Sequence, residues 1–338
     1  MGYFCTYVPE EIIHAAGFVS VRILSGRETP SRADAHLQSY TCALCRSALD
    51  QALRGDLSFV HGVVFPHTCD TIQALTDIWR MSFPDLYAET IVQPVNLSSP
   101  STRPYLIAEL QRFRHSLEGL ISWEISDQDI RASIELYNEK RCLLAHLYEL
   151  RDRLPARELL ATTNAGFTMP LEEYNLLLGE LVELLAEEER IPPEGPGLIL
   201  VGAVLDDPAI LTLIEELGAR IVGDDLCTGS RYFAQSAEAS GDPIAALADR
   251  YLNRLPCPAK YDPDHERSKH LLKLVNEAEA DGVVFILQKF CDPHAFDYAI
   301  VKEKLDAAAV PHLRLEMEHA PALDQWRTRL QAFLEVIG

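Results

Sequence analysis

The chain has 338 residues, 48% apolar and 24% charged, the balance of a soluble globular protein with enough material for two cores. A formal charge of −21 argues against nucleic acid and anionic membrane as main partners. No apolar run approaches the roughly 20 residues of a membrane span, and MGYFCTYVPEE lacks the basic start and apolar core of a signal peptide, so a cytoplasmic location is expected. In that reducing compartment the 8 cysteines are expected to be core residues, metal ligands or redox groups rather than disulfides.

In chain order, Tyr3 to Tyr7 reads as a strand, Pro9 to Ala16 as a helix closed by Gly17, and Phe18 to Leu24 as a second strand. Gly26 to Gln38 is polar loop. Cys42 and Cys45 lead into a helix ending at Gly55; Val60 to Phe65 is a strand, Thr71 to Phe83 a helix, and Thr90 to Val95 a strand. Residues 1–102 thus form a first α/β domain. From 103 to 190 long amphipathic stretches with almost no strand signal predict a helical segment, and IPPEGPG, from Ile191 to Gly197, reads as a linker. A second α/β domain spans 191–338. Its expected strands are Leu198 to Leu205, Ala219 to Gly223, Val283 to Leu287 and His312 to Glu316. Its expected helices are Asp207 to Leu217, around Pro243 to Asn253, Arg267 to Ala280, after Pro293, and Leu323 to Ile337. The fold class is α/β: two Rossmann-like, doubly wound parallel-sheet units joined by a helical segment.

One local pattern recurs. VVFILQKFCDPHAF is a buried-strand run, a short break, a cysteine and then a helix start marked by Pro293. VVFPHTCD repeats it around Cys69, and RIVGDDLCTGSR places Cys227 just past a strand. Ligands of open α/β sheets bind at such turns, near the positive ends of helices. Cys42, Cys45, Cys69, Cys227, Cys257 and Cys291 all fall in turns or at element ends beside Gly, Pro or charged residues. Thiolates in that setting suit an iron–sulfur cluster; the bland alternative is six scattered buried thiols. Zinc is disfavoured because only Cys42 and Cys45 form a close pair. A thioredoxin-like pair is disfavoured because no strand runs into it. Cys5, in a strand, and Cys142, mid-helix, read as core.

Arg231, His67, His294 and Lys289 flank the cysteine turns and are weak candidates for proton donors or anion contacts, each equally readable as a loop residue. No GxGxxG, GxxxxGK[ST] or GxSxG pattern is present, which disfavours a standard P-loop or a serine hydrolase.

Across nearly the whole chain, GYFCTYVPEEIIHAAG, PHTCDTIQALTDIW, DDLCTGSRYF, LPCPAKY, KFCDPHAFDY and RTRLQAFLE together resemble the 2-hydroxyacyl-CoA dehydratase / benzoyl-CoA reductase family, including its double-cubane cluster proteins. The resemblance implies a 4Fe-4S cluster held by three cysteines in the dehydratase members, at positions matching Cys45 (or Cys42), Cys69 and Cys291. It implies a double cubane of the 8Fe-9S type, held by six cysteines, in the reductase-like members. Cys42, Cys45, Cys69, Cys227, Cys257 and Cys291 supply that number, so the expected function is a component that accepts low-potential electrons and reduces a small or acyl-CoA substrate. The electrons would come from an ATP-hydrolysing iron–sulfur activator protein. Two alternatives stand beside it: a dehydratase subunit with one 4Fe-4S cluster, acting as a ketyl-radical lyase, and a non-catalytic subunit of a heterodimer. A homodimer, or a heterodimer with a homologous subunit, is implied as well. Many relatives carry a helical segment ahead of GYFCTYVPEE, on which this chain almost begins; the expectation is an altered dimer interface or dependence on a partner subunit.

Overall fold

The computed structural model describes residues 1–26, 28–190, 194–318 and 323–338. Among them are eight strands in two four-stranded sheets, every pairing parallel. The first sheet contains β1 (Gly2–Tyr3), β2 (Val21–Arg22), β3 (Gly62–Pro66) and β4 (Tyr87–Ile91), in the order β2-β1-β3-β4. The second contains β5 (Gly197–Gly202), β6 (Arg220–Asp225), β7 (Gly282–Gln288) and β8 (His312–Met317), in the order β6-β5-β7-β8. The two orders are the same, and helices cover both faces of each sheet. The α/β architecture of two Rossmann-like units is therefore present.

The uninterrupted apolar runs are the central strands. β3, β5 and β7 are buried at every residue, whereas the edge strand β8 alternates, with Leu315 and Met317 inward and Arg314 and Glu316 outward. On one face of the first sheet, Phe4, Val63 and Phe65 pack on Leu49, Leu75 and Trp79 of the Ala43–Arg54 and Asp70–Ser82 helices. On the other, Tyr3 and Val64 meet Leu106, Phe113, Ile130 and Ile134 from the Thr102–Ile121 and Asp127–Glu149 helices. Ile244, Leu247, Ala248 and Tyr251 of the Pro243–Leu252 helix complete that same core. The second sheet is enclosed by the Ala209–Glu216 and Leu323–Ile337 helices on one face and by Glu266–Glu277 and Asp292–Ala307 on the other.

Three strands of the first sheet differ most from expectation, and in the second β5 stops at Gly202 rather than Leu205. β1 ends at Tyr3, because a turn closed by Val8 N to Cys5 O (3.0 Å) takes the chain out of the sheet. β2 is only Val21–Arg22, since Phe18 N bonds back to Ile13 O at 3.2 Å instead of joining the ladder. β4 lies at Tyr87–Ile91 rather than 90–95: the Val92 amide is taken by the Glu109 carboxylate at 2.8 Å, and Pro94 has no amide to offer. Of the expected linker, 191–193 lies outside the described residues, and Gly197 already begins β5. Cys142 is exposed on the outer side of its helix, not in the core, because its neighbours Lys140 and Arg141 take the inward positions.

Candidate metal centre

Each strand order reverses once, between β1 and β3 and between β5 and β7, leaving a crevice beyond the carboxyl ends of the strands. Cys5 lies two residues past β1, Cys69 three past β3, Cys227 two past β6 and Cys291 three past β7. The two crevices meet. Arg22 Nη1 donates to the Cys227 carbonyl at 2.7 Å, Arg254 Nη1 to the Thr6 carbonyl at 3.0 Å, and Lys260 Nζ to the Pro94 carbonyl at 2.7 Å. Cysteines nearly 300 residues apart in sequence are thereby gathered at one junction (from Cys5 to Cys291).

They gather in two neighbouring groups. In the first, Cys42, Cys69 and Cys291 occupy the cap positions of three helices and Cys45 the first turn of one of them. The Cys45 thiol donates to Cys42, which brings Cys42 down to about 7 against the opposing effect of burial. That same hydrogen bond, then burial and the charges of Cys42, Cys69 and Cys291, push Cys45 well up. Burial raises Cys69 to about 11 and Cys291 to about 12. In the second group Cys5, raised by burial, feels the charges of Cys227 and Cys257. Arg231 Nη1 stands 3.6 Å from Cys227 Sγ, and the Ala259 amide donates to Cys257 Sγ at 3.4 Å. Cys291 feels Cys227, and Cys69 feels Cys5, so the groups adjoin.

Behind the thiols lies a buried ion network. Asp225 Oδ1 is 2.6 Å from Arg231 Nε and its Oδ2 3.0 Å from Arg267 Nη2; Arg267 Nε also reaches Asp297 at 2.8 Å. Burial opposes ionisation of Asp225, yet the two guanidinium groups hold it down to about 2. Arg231 further bonds the carbonyls of Gly202 and Asp225, which fixes the turn that carries Cys227.

Of the sequence-derived candidates, Cys42, Cys45, Cys69, Cys227, Cys257, Cys291 and Arg231 come together here. His294 joins them: it is buried, with Nδ1 3.3 Å from Cys291 Sγ, and burial, then Arg231 and Arg267, push it well below the ordinary histidine range, so it is neutral. Lys289 is surface-exposed and paired with Glu318, and His67 rests against Gln73 at 3.4 Å. Cys5, which sequence reasoning assigned to the core, does pack against the first core and also adjoins Cys227 and Cys257; its position just past a strand end, shared with Cys69, Cys227 and Cys291, was the signal for that second feature.

All eight thiols are free. Among the described residues no three His, Cys, Asp or Glu side chains close on one point for a single ion. A tetrahedral zinc site draws its sulfurs to about 2.3 Å from one metal, whereas a cluster gives each thiolate its own iron and tolerates wider spacing. The buried Tyr7 hydroxyl lies beside Cys257 and has no other partner among the described residues, which is costly unless a polar group seats against it. The residues present thus fit an iron–sulfur group. Cavities of about 890, 470 and 370 Å³ lie elsewhere, and none of the three is lined by a cysteine. No described helix is long and apolar enough to cross a membrane.

A family model described as 2-hydroxyglutaryl-CoA dehydratase, D-component, matches residues 5–337. The chain is 32% identical to one of the benzoyl-CoA reductase subunits of Thauera aromatica, over 93% of its own length and 84% of the relative. It is 26% identical to the (R)-phenyllactyl-CoA dehydratase beta subunit of Clostridium sporogenes, over 100% and 91%. It is 27% identical to the beta subunit of (R)-2-hydroxyglutaryl-CoA dehydratase from Acidaminococcus fermentans, over 97% and 90%.

Proposed function

From membership of the 2-hydroxyglutaryl-CoA dehydratase D-component family, to which this chain belongs, we propose that it is the electron-accepting iron–sulfur component of a reductase acting on an acyl-CoA or another small substrate. The observation that carries the reading is the convergence of seven thiols from both sheets in two adjoining groups. Cys69, Cys291 and one or both of Cys42 and Cys45 hold one cubane; Cys5, Cys227 and Cys257 hold the other. Such a group supplies storage and transfer of single electrons at low potential.

The chain's own residues prepare the place for it. Asp225, Arg231 and Arg267 behind the thiols are buried, so charges there act through a low dielectric. Arg231 and the Ala259 amide orient the sulfurs of Cys227 and Cys257. His294, held neutral beside Cys291, adds a polar contact without adding charge. The electron donor is an ATP-hydrolysing activator protein, and the chain works as a dimer with itself or a homologous subunit. The names of the relatives, each one subunit of an enzyme, support a multi-subunit assembly, and they share a CoA thioester.

A second reading, a dehydratase subunit with one 4Fe-4S cluster, is favoured by the two dehydratase beta subunits among these relatives and by the first thiol group alone, which offers enough ligands. Anaerobic iron and sulfide counting with EPR separates the two, on wild type, Cys69→Ser, Cys5→Ser and Cys257→Ser. About eight irons per chain, lowered by all three substitutions, supports the double cubane. About four, lowered by Cys69→Ser alone, supports the dehydratase; no iron at all removes both.

A further inference from the structure

The two thiol groups stand in unequal electrostatic surroundings. Five cations beside Cys5, Cys227 and Cys257 are buried: Arg22, Arg231, Arg254, Arg267 and Lys260. Arg231 reaches Cys227 Sγ at 3.6 Å and Arg22 the Cys227 carbonyl at 2.7 Å; Arg267 Nη1 bonds the carbonyl of Pro256, the residue before Cys257, at 3.3 Å. Arg254 and Lys260 stand 5.0 and 4.5 Å from the ring centroid of Tyr7, whose hydroxyl faces Cys257. Asp225 and Asp297 answer Arg231 and Arg267. Among the described residues no carboxylate pairs with Arg22, Arg254 or Lys260, which bond carbonyls and, for Arg254, the Thr6 hydroxyl.

The first group has no buried cation of its own among the described residues, although Arg231 and Arg267 also act on His294, which touches Cys291. The Lys289 ammonium is paired with Glu318, and Asp70 and Asp292 follow Cys69 and Cys291 directly. Buried positive charge favours the more negative, reduced state of whatever the thiolates hold, and net charge is a main determinant of cluster potential.

We propose that these five cations make the Cys5–Cys227–Cys257 side the electron reservoir of the centre, at higher potential, and leave the Cys42–Cys45–Cys69–Cys291 side as the lower-potential side that delivers. The inference rests on the reading above that both groups hold iron. An external single-electron donor loses one electron and the reservoir side gains it. No bond breaks, and no proton need accompany the electron because compensating charge is already in place.

The test is an anaerobic EPR-monitored titration of the reconstituted full chain with titanium(III) citrate, with iron and sulfide counted on each sample. The first electron should give a signal altered by Cys257→Ser and untouched by Cys69→Ser. Lys260→Met and Arg22→Gln should each make the first reduction about tenfold less favourable, about 59 mV for a one-electron couple. Lys302→Met removes the same charge from the exposed face of the Asp292–Ala307 helix and should shift nothing. Full iron with no shift in either charge variant, an equal shift in Lys302→Met, or a first signal altered by Cys69→Ser overturns the inference while leaving the cluster reading intact. Half the iron or less in wild type overturns that reading and the inference with it.

Discussion

Lys140 offers a sharp test of the electrostatics inside the helical segment. It is 2% exposed, makes no ion pair among the described residues, and donates to the Gly166 carbonyl within a cage of Tyr137, Phe167, Tyr174 and Tyr232, with ring centroids 4.9 to 5.8 Å from Nζ. Burial lowers its pKa from 10.5 to about 8, with Glu10 opposing. At 1.36 kcal/mol per unit, that drop costs the folded state roughly 3 kcal/mol wherever both states are protonated, below about pH 8. Cation–π attraction returns about 1–2 kcal/mol. Lys140→Met keeps the stem and removes the charge, so at pH 7 it should stabilise the chain by about 1–2 kcal/mol. Between about pH 8 and 10.5 the unfolded state binds the extra proton, so wild-type stability rises with pH and the advantage of methionine fades. Urea midpoints of the two proteins at pH 7 and pH 10, prepared anaerobically with matched iron content, measure both effects. A variant less stable than wild type by 1 kcal/mol or more at pH 7, or a difference that ignores pH, would refute the reasoning.

Glu11→Gln leaves Arg141 charged and without its ion-pair partner between the Glu10–Ala15 and Asp127–Glu149 helices; urea unfolding should show a loss of about 3–5 kcal/mol. A loss below about 1 kcal/mol would mean that the pair is solvated despite its burial. Gly229→Ala places a Cβ against the Asp224 carboxylate, which holds the amides of Leu226 and Ser230 at 3.1 and 2.8 Å. It should cost about 1–3 kcal/mol and hasten iron loss on chelator challenge; unchanged stability and retention would show that the Cys227 turn yields freely. Cys142→Ser alters an exposed thiol and should leave iron and sulfide content at the wild-type level, so any drop counts against the seven-thiol site.

The central strands were legible because burial on both faces demands an unbroken apolar run, as in Val283 to Leu287. The turns of Cys69 and Cys291 were legible because each follows such a run and precedes a helix start. The end of β1 was not: Phe4, Tyr7 and Val8 continue the aromatic and β-branched texture of a strand, and only the turn shows the chain leaving the sheet at Tyr3. That one boundary hid the place of Cys5 beside Cys227 and Cys257. Lys140 and Arg141 lie buried on the inward side of their helix, and composition does not reveal which side of a helix its neighbours cover. Cys142 failed for the converse reason, an apolar neighbourhood in sequence that turns outward in space. Which thiols group together depends on contacts across more than 200 residues, such as Arg22 with Cys227, and no local pattern encodes them.

The core shared by Met1, Tyr3, Ile12 and the Pro243–Leu252 helix also sets an order of assembly. A ribosome adds about 5–20 residues per second, so one face of the first sheet, complete at Ile91, waits roughly 8 to 30 seconds for the helix ending at Leu252 that finishes covering it. During that interval the half-made chain presents an apolar surface and thiols with no second sheet to face. Nascent chains halted before about residue 240 should therefore depend most on holding chaperones, and the proposed site is complete only after β7 and Cys291 have been made.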